Sequence, residues 1–165
     1  MLDWPLVFDK RNAGREHLIR KQWFRTEKPK LLYNLTPTGG NTSPFANLPE
    51  MWPLMRRTGC ELVDLSAIRA YRIYDLLGLY DYAEGLVTYD TATLHLASAS
   101  GIPYIAFIAD GGAGSIPKGN CILSLRYSQV MSNQHKIEAA LKEIHDPHYR
   151  RQPNSDMAEY TRINA

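Results

Sequence analysis

The sequence is poor in the features that point to disulfides, membranes or nucleic acid. Its two cysteines, Cys60 and Cys121, each begin an apolar run, where a small buried thiol is more typical than a disulfide or a metal ligand. No stretch approaches the roughly 20 consecutive apolar residues of a membrane-spanning helix, and the N-terminus has no basic segment leading into a long apolar one. We therefore expect a cytoplasmic protein without a membrane span.

An excess of charge of one sign is also lacking. The formal net charge is +2 at pH 7, and the Lys and Arg residues are scattered along the chain. A nucleic-acid-binding domain instead concentrates basic residues on one face, where they neutralise phosphates. Nucleic acid is therefore not an expected partner.

The composition that remains suits one globular domain. The chain has 165 residues, of which 44% are hydrophobic and 22% charged, and a chain of this size can bury a core without disulfide or metal support. We predict a helical lead-in over residues 1–29, an α/β domain over residues 30–146, and a polar C-terminal tail over residues 147–165.

Strand and helix patterns alternate along the chain. Short apolar runs predict strands, and apolar residues three or four apart predict helices. The predicted strands are 30–35, 60–65, 85–89, 104–109 and 121–125, and the predicted helices include 69–82, 91–100 and 133–144. This alternation is typical of a single Rossmann-like doubly wound parallel sheet with helices on both faces. Ligands of such sheets bind beyond the carboxyl ends of the strands.

The segment from Asp90 to His95 is the strongest candidate for a site at that edge. A strand ends at Asp90, which is a good N-cap for a helix that Gly101 ends. The N-terminus of a helix directs backbone N–H groups and a positive partial charge at an anion, and His95 lies one turn further on. The same spacing also suits a plain structural interpretation, with Asp90 only a helix cap and His95 a semi-buried residue.

Residues 90–103 resemble a signature of the ADP-heptose:lipopolysaccharide heptosyltransferase family. The run Asp-Thr-Ala-Thr-Leu-His-Leu-Ala-Ser-Ala-Ser-Gly-Ile-Pro is similar to that family's Asp-Thr-Gly-x-x-His-Leu-Ala-x-Ala-x-Gly-x-Pro. Weaker similarity extends over roughly residues 30–145. The resemblance implies one half of a GT-B glycosyltransferase, namely the C-terminal Rossmann-like domain, which holds the nucleotide sugar.

The resemblance also implies roles for four residues of this block. Backbone amides and the Thr91 hydroxyl hold the diphosphate, while Asp90 and His95 meet the sugar. Ala92 stands where the family has Gly. Because Gly allows the closest approach of a phosphate to the backbone, the extra methyl group is expected to weaken or reshape binding.

Two further loops belong to the predicted substrate-binding site. Small residues and hydroxyl groups suit a loop that closes around a phosphate, although the same composition is typical of exposed turns and connecting loops. The first loop lies in the position of the family's first phosphate-contacting loop, and the second follows a buried strand. The candidates are Thr36, Thr38, Gly39 and Gly40 in the first loop, and Gly111 and Gly112 in the second.

The first loop departs from the family in its charge. The family places a Lys shortly after it, whereas here no Lys occurs between Lys30 and Lys118. Arg56 or Arg57 could supply the positive charge instead. The loop is not a Walker motif, because no Gly-Lys-Ser/Thr follows its glycines.

The remaining polar and aromatic candidates are weaker. His145 and His148 lie three apart, but Pro147 breaks any helix between them. Structural zinc needs about four ligands, so a surface turn is favoured and no metal is expected. Trp52 or Tyr89 could stack on a nucleotide base.

The resemblance leaves two functions open. The family's acceptor site and catalytic base come from its N-terminal half, and residues 1–29 are too short to supply one. We expect a nucleotide diphosphate sugar as ligand, no separate cofactor, and a split or partner-dependent glycosyltransferase completed by a partner chain or a homo-oligomer. The alternative is a non-catalytic structural or interaction module that kept the fold.

Overall fold

Five short strands form one parallel sheet. The computed structural model describes residues 11–36, 51–110 and 119–145. The strands are β1 (Lys30–Asn34), β2 (Glu61–Asp64), β3 (Gly85–Tyr89), β4 (Tyr104–Ile108) and β5 (Cys121–Arg126). Their order across the sheet is β2-β1-β3-β4-β5, and every neighbouring pair is parallel. The predicted α/β fold with a parallel sheet is confirmed.

Helices cover both faces of the sheet. They are α1 (Ala13–Trp23), α2 (Met51–Arg56), α3 (Leu77–Tyr80), α4 (Ala92–Ser100) and α5 (Gln134–Ile144), with single 3-10 turns at Leu65–Ala67, Ile73–Leu76, Tyr127–Gln129 and Met131–Asn133. Helices α2 and α5 contribute to one apolar cluster, while α3, α4 and the apolar side chains of α1 contribute to the other. Since successive strand residues point to opposite faces, Leu31 and Val87 lie in the first cluster and Leu32 and Leu86 in the second.

The central strands are apolar because they are covered on both sides. All five residues of β3 and all five of β4 are buried, which explains their continuous apolar runs. Each Val, Leu or Ile side chain removed from water contributes about 1.5–3 kcal/mol. Thr88 is the one polar residue of these two strands, and it is fully buried.

The start of α4 differs from the sequence-based prediction. Thr91, with extended φ and ψ of −138° and 177°, is the N-cap, and the helix begins at Ala92. Asp90 precedes the cap, and its N–H bonds the carbonyl of Phe107 at 3.0 Å, which continues the β3–β4 ladder by one residue. The predicted end of the helix is confirmed, since Gly101 takes a left-handed φ of 72° there.

The helix predicted over residues 69–82 is much shorter in the structure. Arg72 is extended, and helical geometry begins with the 3-10 turn at Ile73–Leu76 before the single turn of α3. The Asp75 carboxylate accepts a hydrogen bond from the Arg72 N–H at 3.2 Å, which caps the turn there. As a result Ile73 is 41% exposed, although the pattern placed it on the inner face.

Helix α1 is attached to the domain by buried and half-buried ion pairs. The Arg15 guanidinium bonds the Asp75 carboxylate at 2.8 Å, and the Asp75 side chain is only 1% exposed. Arg11 bonds both Asp81 and the buried Glu16. The predicted domain boundaries at residues 29 and 146 stay predictions.

Hydrogen bonds to Asp75 outweigh the effect of its burial. Burial alone would raise the pKa of this carboxyl, but hydrogen bonds from the Arg15 guanidinium and the Arg72 backbone hold the pKa below its ordinary value. A lowered carboxyl pKa stabilises the fold above the unfolded-state value, and this stabilisation is lost as pH falls through the folded-state pKa.

None of the helices in residues 11–36, 51–110 and 119–145 has the length and apolar character needed to cross a membrane.

Replacing Arg15 by Met tests the attachment of α1. Because the variant leaves the buried Asp75 without its guanidinium, we expect the free energy of unfolding to fall by about 1–3 kcal/mol at pH 7. The difference from the unaltered protein should shrink below about pH 4, where Asp75 becomes protonated in the unfolded chain. Urea unfolding at a series of pH values measures both effects.

The matched control is Arg57→Met, which removes the exposed ion pair of Arg57 with Glu138 at 3.4 Å. Exposed pairs contribute about 0–1 kcal/mol. Equal losses in the two variants would show that the Arg15–Asp75 pair has no special role.

Candidate functional site

The strand order places a topological switch point between the ends of β1 and β3, which we call the β1–β3 crevice. In a sheet ordered β2-β1-β3-β4-β5, the helix that follows β1 and the helix that follows β3 lie on opposite faces, and ligands of such sheets bind at this point. Residues after β1 lead to α2, which packs in one apolar cluster, and residues after β3 lead to α4, which packs in the other. The candidate residues Thr36 and Asp90 to His95 flank this crevice.

Asn34 joins the two sides of the crevice. It is the last residue of β1, it pairs in register with Thr88 of β3, and it is 6% exposed. Its Nδ2 donates to the Thr93 hydroxyl at 3.2 Å, and its Oδ1 accepts from the Thr36 backbone N–H at 3.3 Å. One buried amide therefore holds the start of the first loop and the start of α4 together.

Buried hydroxyl groups continue from Asn34 into the core. The Thr93 Oγ1 lies 2.6 Å from the Thr88 Oγ1 and 2.7 Å from the Thr91 Oγ1. The Thr88 hydroxyl donates to the Tyr89 carbonyl at 3.1 Å. We call Asn34, Thr88, Thr91 and Thr93 the hydroxyl network.

Thr91 directs its side chain inward rather than toward the crevice. The residue is 9% exposed, and as N-cap of α4 it makes no side-chain bond to an amide of the helix. The first N–H groups of an α-helix have no partner within the helix. The start of α4 therefore has backbone amides that the Thr91 side chain does not satisfy, beside the exposed Ala92.

Asp90 and His95 are the solvent-accessible polar side chains of the segment from Asp90 to His95. Asp90 is half-exposed and His95 is exposed. In the described part of the chain the Asp90 carboxylate has no hydrogen-bond or ion-pair partner. Burial raises the pKa of Tyr127, and the negative charges of Asp90 and Asp110 raise it further, so the three residues lie close to one another.

The first loop is tied to the end of β2 as well. The exposed Thr36 donates its hydroxyl to the Ser66 Oγ at 3.3 Å, and that hydroxyl donates to the Asp64 carboxylate at 2.6 Å. The predicted site residues Thr38, Gly39, Gly40, Gly111 and Gly112 lie outside the described residues. Thr36 is thus the only predicted residue of the two loops that the structure describes.

The basic residues do not lie where the sequence placed them. Arg56 ends α2 and Arg57 follows it, shortly before β2 begins, which puts them at the amino edge of the sheet, opposite the crevice. Arg57 there pairs with Glu138 of α5. At the carboxyl edge the exposed Arg126 ends β5 and donates to the Ala109 carbonyl at 2.6 Å, and its position could not be read from the sequence.

Two aromatic candidates for base stacking have other roles. Tyr89 is fully buried and packs against Phe107 and Tyr127, with ring centroids 6.1 and 5.4 Å apart, so it cannot stack on a ligand. The half-buried Trp52 packs edge to face on Tyr33 at 5.2 Å. Burial and the neighbouring Asp64 charge raise the pKa of Tyr33 to about 12.

The cysteine and histidine residues show one contact that the sequence did not predict. The Cys60 Sγ lies 3.8 Å from the His145 Nδ1 at the amino edge of the sheet, and burial raises the pKa of the Cys60 thiol. His148 lies outside the described residues. Over residues 11–36, 51–110 and 119–145, no three His, Cys, Asp or Glu side chains are arranged to hold a metal ion.

Sequence reasoning missed Asn34, Thr88 and Thr93. Asn34 is a polar residue just before the end of the predicted strand 30–35, and its place in an otherwise apolar run is a signal that could have drawn attention. Thr93 falls on the inner side of α4, beside Leu94 and Leu96. A hydroxyl on an apolar face needs a buried partner. Thr88 and Thr91 are near in sequence, but Asn34 comes from a strand 59 residues earlier.

Comparison with known proteins identifies the fold. No protein-family model matches the sequence, and no curated protein matches it. One similar solved structure is the Escherichia coli ADP-heptose lps heptosyltransferase II, with a TM-score of 0.60, 14% identity, and coverage of 87% of this chain and 55% of that one. Another is a family 9 glycosyl transferase from Veillonella parvula, with a TM-score of 0.50, 11% identity, and coverage of 86% and 47%.

These likenesses confirm the predicted resemblance at the level of fold. The chain spans about half the length of each similar structure, as expected for one Rossmann-like half of a GT-B glycosyltransferase. The fold is glycosyltransferase-like.

The Tyr33–Asp64 contact predicts a pH effect. Replacing Asp64 by Asn removes a negative charge, so the pKa of Tyr33 should fall from about 12 toward its ordinary value of 10.0, with burial keeping it above 10.0. Since the folded protein holds this proton more tightly than the unfolded chain, the stabilisation is complete below about pH 10 and is lost as pH rises through the folded-state pKa. NMR titration of the tyrosine ring carbons measures the pKa.

Asp110→Asn is the control, because Asp110 acts on Tyr127 rather than on Tyr33. It should leave the pKa of Tyr33 unchanged. A Tyr33 pKa that does not move in Asp64→Asn would rule out the assigned cause.

Proposed function

We propose that this chain binds a nucleotide diphosphate sugar in the β1–β3 crevice, as the donor-binding half of a split or partner-dependent glycosyltransferase. The observation that carries the proposal is that α4 begins at this crevice and that the side chain of its N-cap, Thr91, bonds none of the first backbone amides of the helix. The glycosyltransferase-like fold and the resemblance of residues 90–103 to the heptosyltransferase signature support it.

The diphosphate fits the start of α4 on electrostatic grounds. A helix N-terminus carries about half a positive charge and free N–H donors, which together favour an anion. The exposed Ala92 presents only a methyl group there, so the backbone is accessible. Arg126 at the same edge of the sheet is the described cation placed to add positive charge.

The sugar is assigned to Asp90 and His95. A carboxylate accepts hydrogen bonds and repels phosphate, whereas sugar hydroxyls can donate to it. Asp64 and Asp110 lie at the same edge, but each already accepts bonds from a neighbouring serine, Ser66 or Ser128. Asp90 is therefore the carboxylate best suited to a sugar hydroxyl, with the exposed His95 beside it.

The proposed activity needs a second component. The chain spans about half of each similar structure. We place the acceptor site and the catalytic base on a partner chain, on a second copy, or on a longer form of this protein. The cytoplasmic location and the loop residues Thr38, Gly39, Gly40, Gly111 and Gly112 stay predictions.

A panel of ADP-, GDP- and UDP-linked sugars tests binding. At a ligand concentration 100 times the dissociation constant, binding adds about 2.7 kcal/mol to stability, which raises the melting temperature by roughly 5–10 °C for a chain of this size. Asp90→Ala and His95→Ala should abolish the shift. Differential scanning fluorimetry measures it.

His135→Ala is the matched control, because His135 is exposed at the start of a different helix, α5. It should keep the full shift. No shift with any of the sugars, in a protein that melts cooperatively, would refute the proposal.

The interaction-module alternative is favoured by exposed apolar side chains around α1. Tyr71 is 85% exposed, Leu18 66% and Tyr82 60%. Arg15 lies over the Tyr71 ring and Arg20 over the Tyr82 ring, at 5.4 and 3.9 Å. Exposed apolar surface of this kind is typical of a protein-binding region.

Light scattering after size-exclusion chromatography tests that alternative. If copies of the chain associate through this surface, the protein should elute as an oligomer, and Leu18→Lys should convert it to a monomer. Met131→Lys is the control, because Met131 is similarly exposed near α5. A monomer at high micromolar concentration would remove the homo-oligomer from consideration.

A further inference from the structure

The two contacts between hydroxyl oxygens fit either direction, and proton counting links them to each other. A hydroxyl has one proton to donate, and a carbonyl oxygen only accepts. The Thr88 hydroxyl lies 3.1 Å from the Tyr89 carbonyl. In the arrangement that uses this bond, Thr88 accepts from Thr93 across the 2.6 Å contact, and Thr91 donates to Thr93 across the 2.7 Å contact.

In this arrangement the Thr93 hydroxyl makes every hydrogen bond that a hydroxyl can make. Its oxygen accepts from the Asn34 Nδ2 and from the Thr91 hydroxyl, and it donates to Thr88. Two lone pairs and one proton are the full capacity of a hydroxyl. Thr93 is 3% exposed, so water does not compete for these bonds.

In this arrangement the Thr91 hydroxyl has only acceptor capacity left. Phosphate oxygens of an ionised diphosphate are also acceptors, so the two cannot share a hydrogen bond. The resemblance gave the Thr91 hydroxyl a direct role in holding the diphosphate, whereas this arrangement directs its proton to Thr93 in the core. What remains for the diphosphate is the row of main-chain amides that begins α4.

We infer that Thr93 is a positioning residue that, through Asn34, holds Thr36 beside the start of α4, and that the Thr91 hydroxyl acts only through Thr93. This inference rests on the proposed nucleotide-sugar site. The ligand class it favours is a diphosphate bound by backbone N–H groups rather than by a threonine hydroxyl.

A double-mutant cycle with Thr91→Val and Thr93→Val separates an indirect role of Thr91 from a direct one. ADP, GDP and UDP are each titrated calorimetrically, at a temperature where every variant is folded. We expect Thr93→Val to weaken binding at least 10-fold, Thr93→Ser to restore it to within 3-fold, and the double variant to bind within 2-fold of Thr93→Val. A further loss of 10-fold or more in the double variant would show direct contact by Thr91 and overturn the inference.

The positioning role has its own readout without ligand. Because Asn34 holds the Thr36 N–H, losing the Thr93 anchor should speed hydrogen exchange of the Thr36 amide at least 10-fold in Thr93→Val. Thr58→Val, which removes a hydroxyl bonded to the Met55 carbonyl at the opposite edge, should leave that rate unchanged. An unchanged rate in Thr93→Val, or unchanged affinity, would overturn the positioning role.

The two proposals fail in different ways. If the unaltered protein binds none of the three nucleotides, the proposed function fails, while exchange at Thr36 still decides whether Thr93 holds Thr36 beside the start of α4. Should Thr93→Val not fold, Asn34→Ala removes the same bond from its other end and takes its place with the same expected outcomes.

Discussion

The pairing of β1 with β3 is the constraint on which the rest of the molecule depends. It places two strands that are distant in sequence side by side, in the register Leu31 to Gly85 through Asn34 to Thr88. Because β1 continues toward α2 and β3 toward α4, this pair is where the chain divides between the two faces of the sheet. The apolar clusters on either side and the crevice between the loops are both consequences of it.

The end of that ladder is also where polar groups are buried. A buried hydroxyl or amide costs about 1–3 kcal/mol when it lacks a partner. In the hydroxyl network Asn34, Thr88 and Thr93 satisfy one another, so the sheet can end in polar residues without that cost. The same bonds leave Ala92, Asp90 and His95 facing outward, which separates the structural side of the motif from the side available to a ligand.

The charges of the carboxyl edge limit what it can hold. Aspartates follow or end three of the strands, at positions 64, 90 and 110. Two of them accept hydrogen bonds from serine hydroxyls. Among the residues that the structure describes, the start of α4 and Arg126 contribute positive charge at this edge. An anion is therefore favoured next to α4, and groups that donate hydrogen bonds are favoured next to Asp90.

The sequence by itself determined the fold class, because the spacing of apolar residues and the glycines that end helices and strands are local signals. The buried runs of β3 and β4 and the end of α4 at Gly101 could be read residue by residue. Two of its predictions were wrong. Thr91 and not Asp90 caps α4, while the Asp90 N–H continues the β3–β4 ladder by bonding the Phe107 carbonyl. The helix after β2 is shorter than predicted, since the Asp75 carboxylate accepts from the Arg72 N–H and helical geometry begins only at Ile73. Only the tertiary structure decided that Arg57 lies opposite the crevice and that Asn34 bonds Thr93. Those facts depend on which strands are neighbours, and strand pairing joins residues whose separation along the chain carries no local signal.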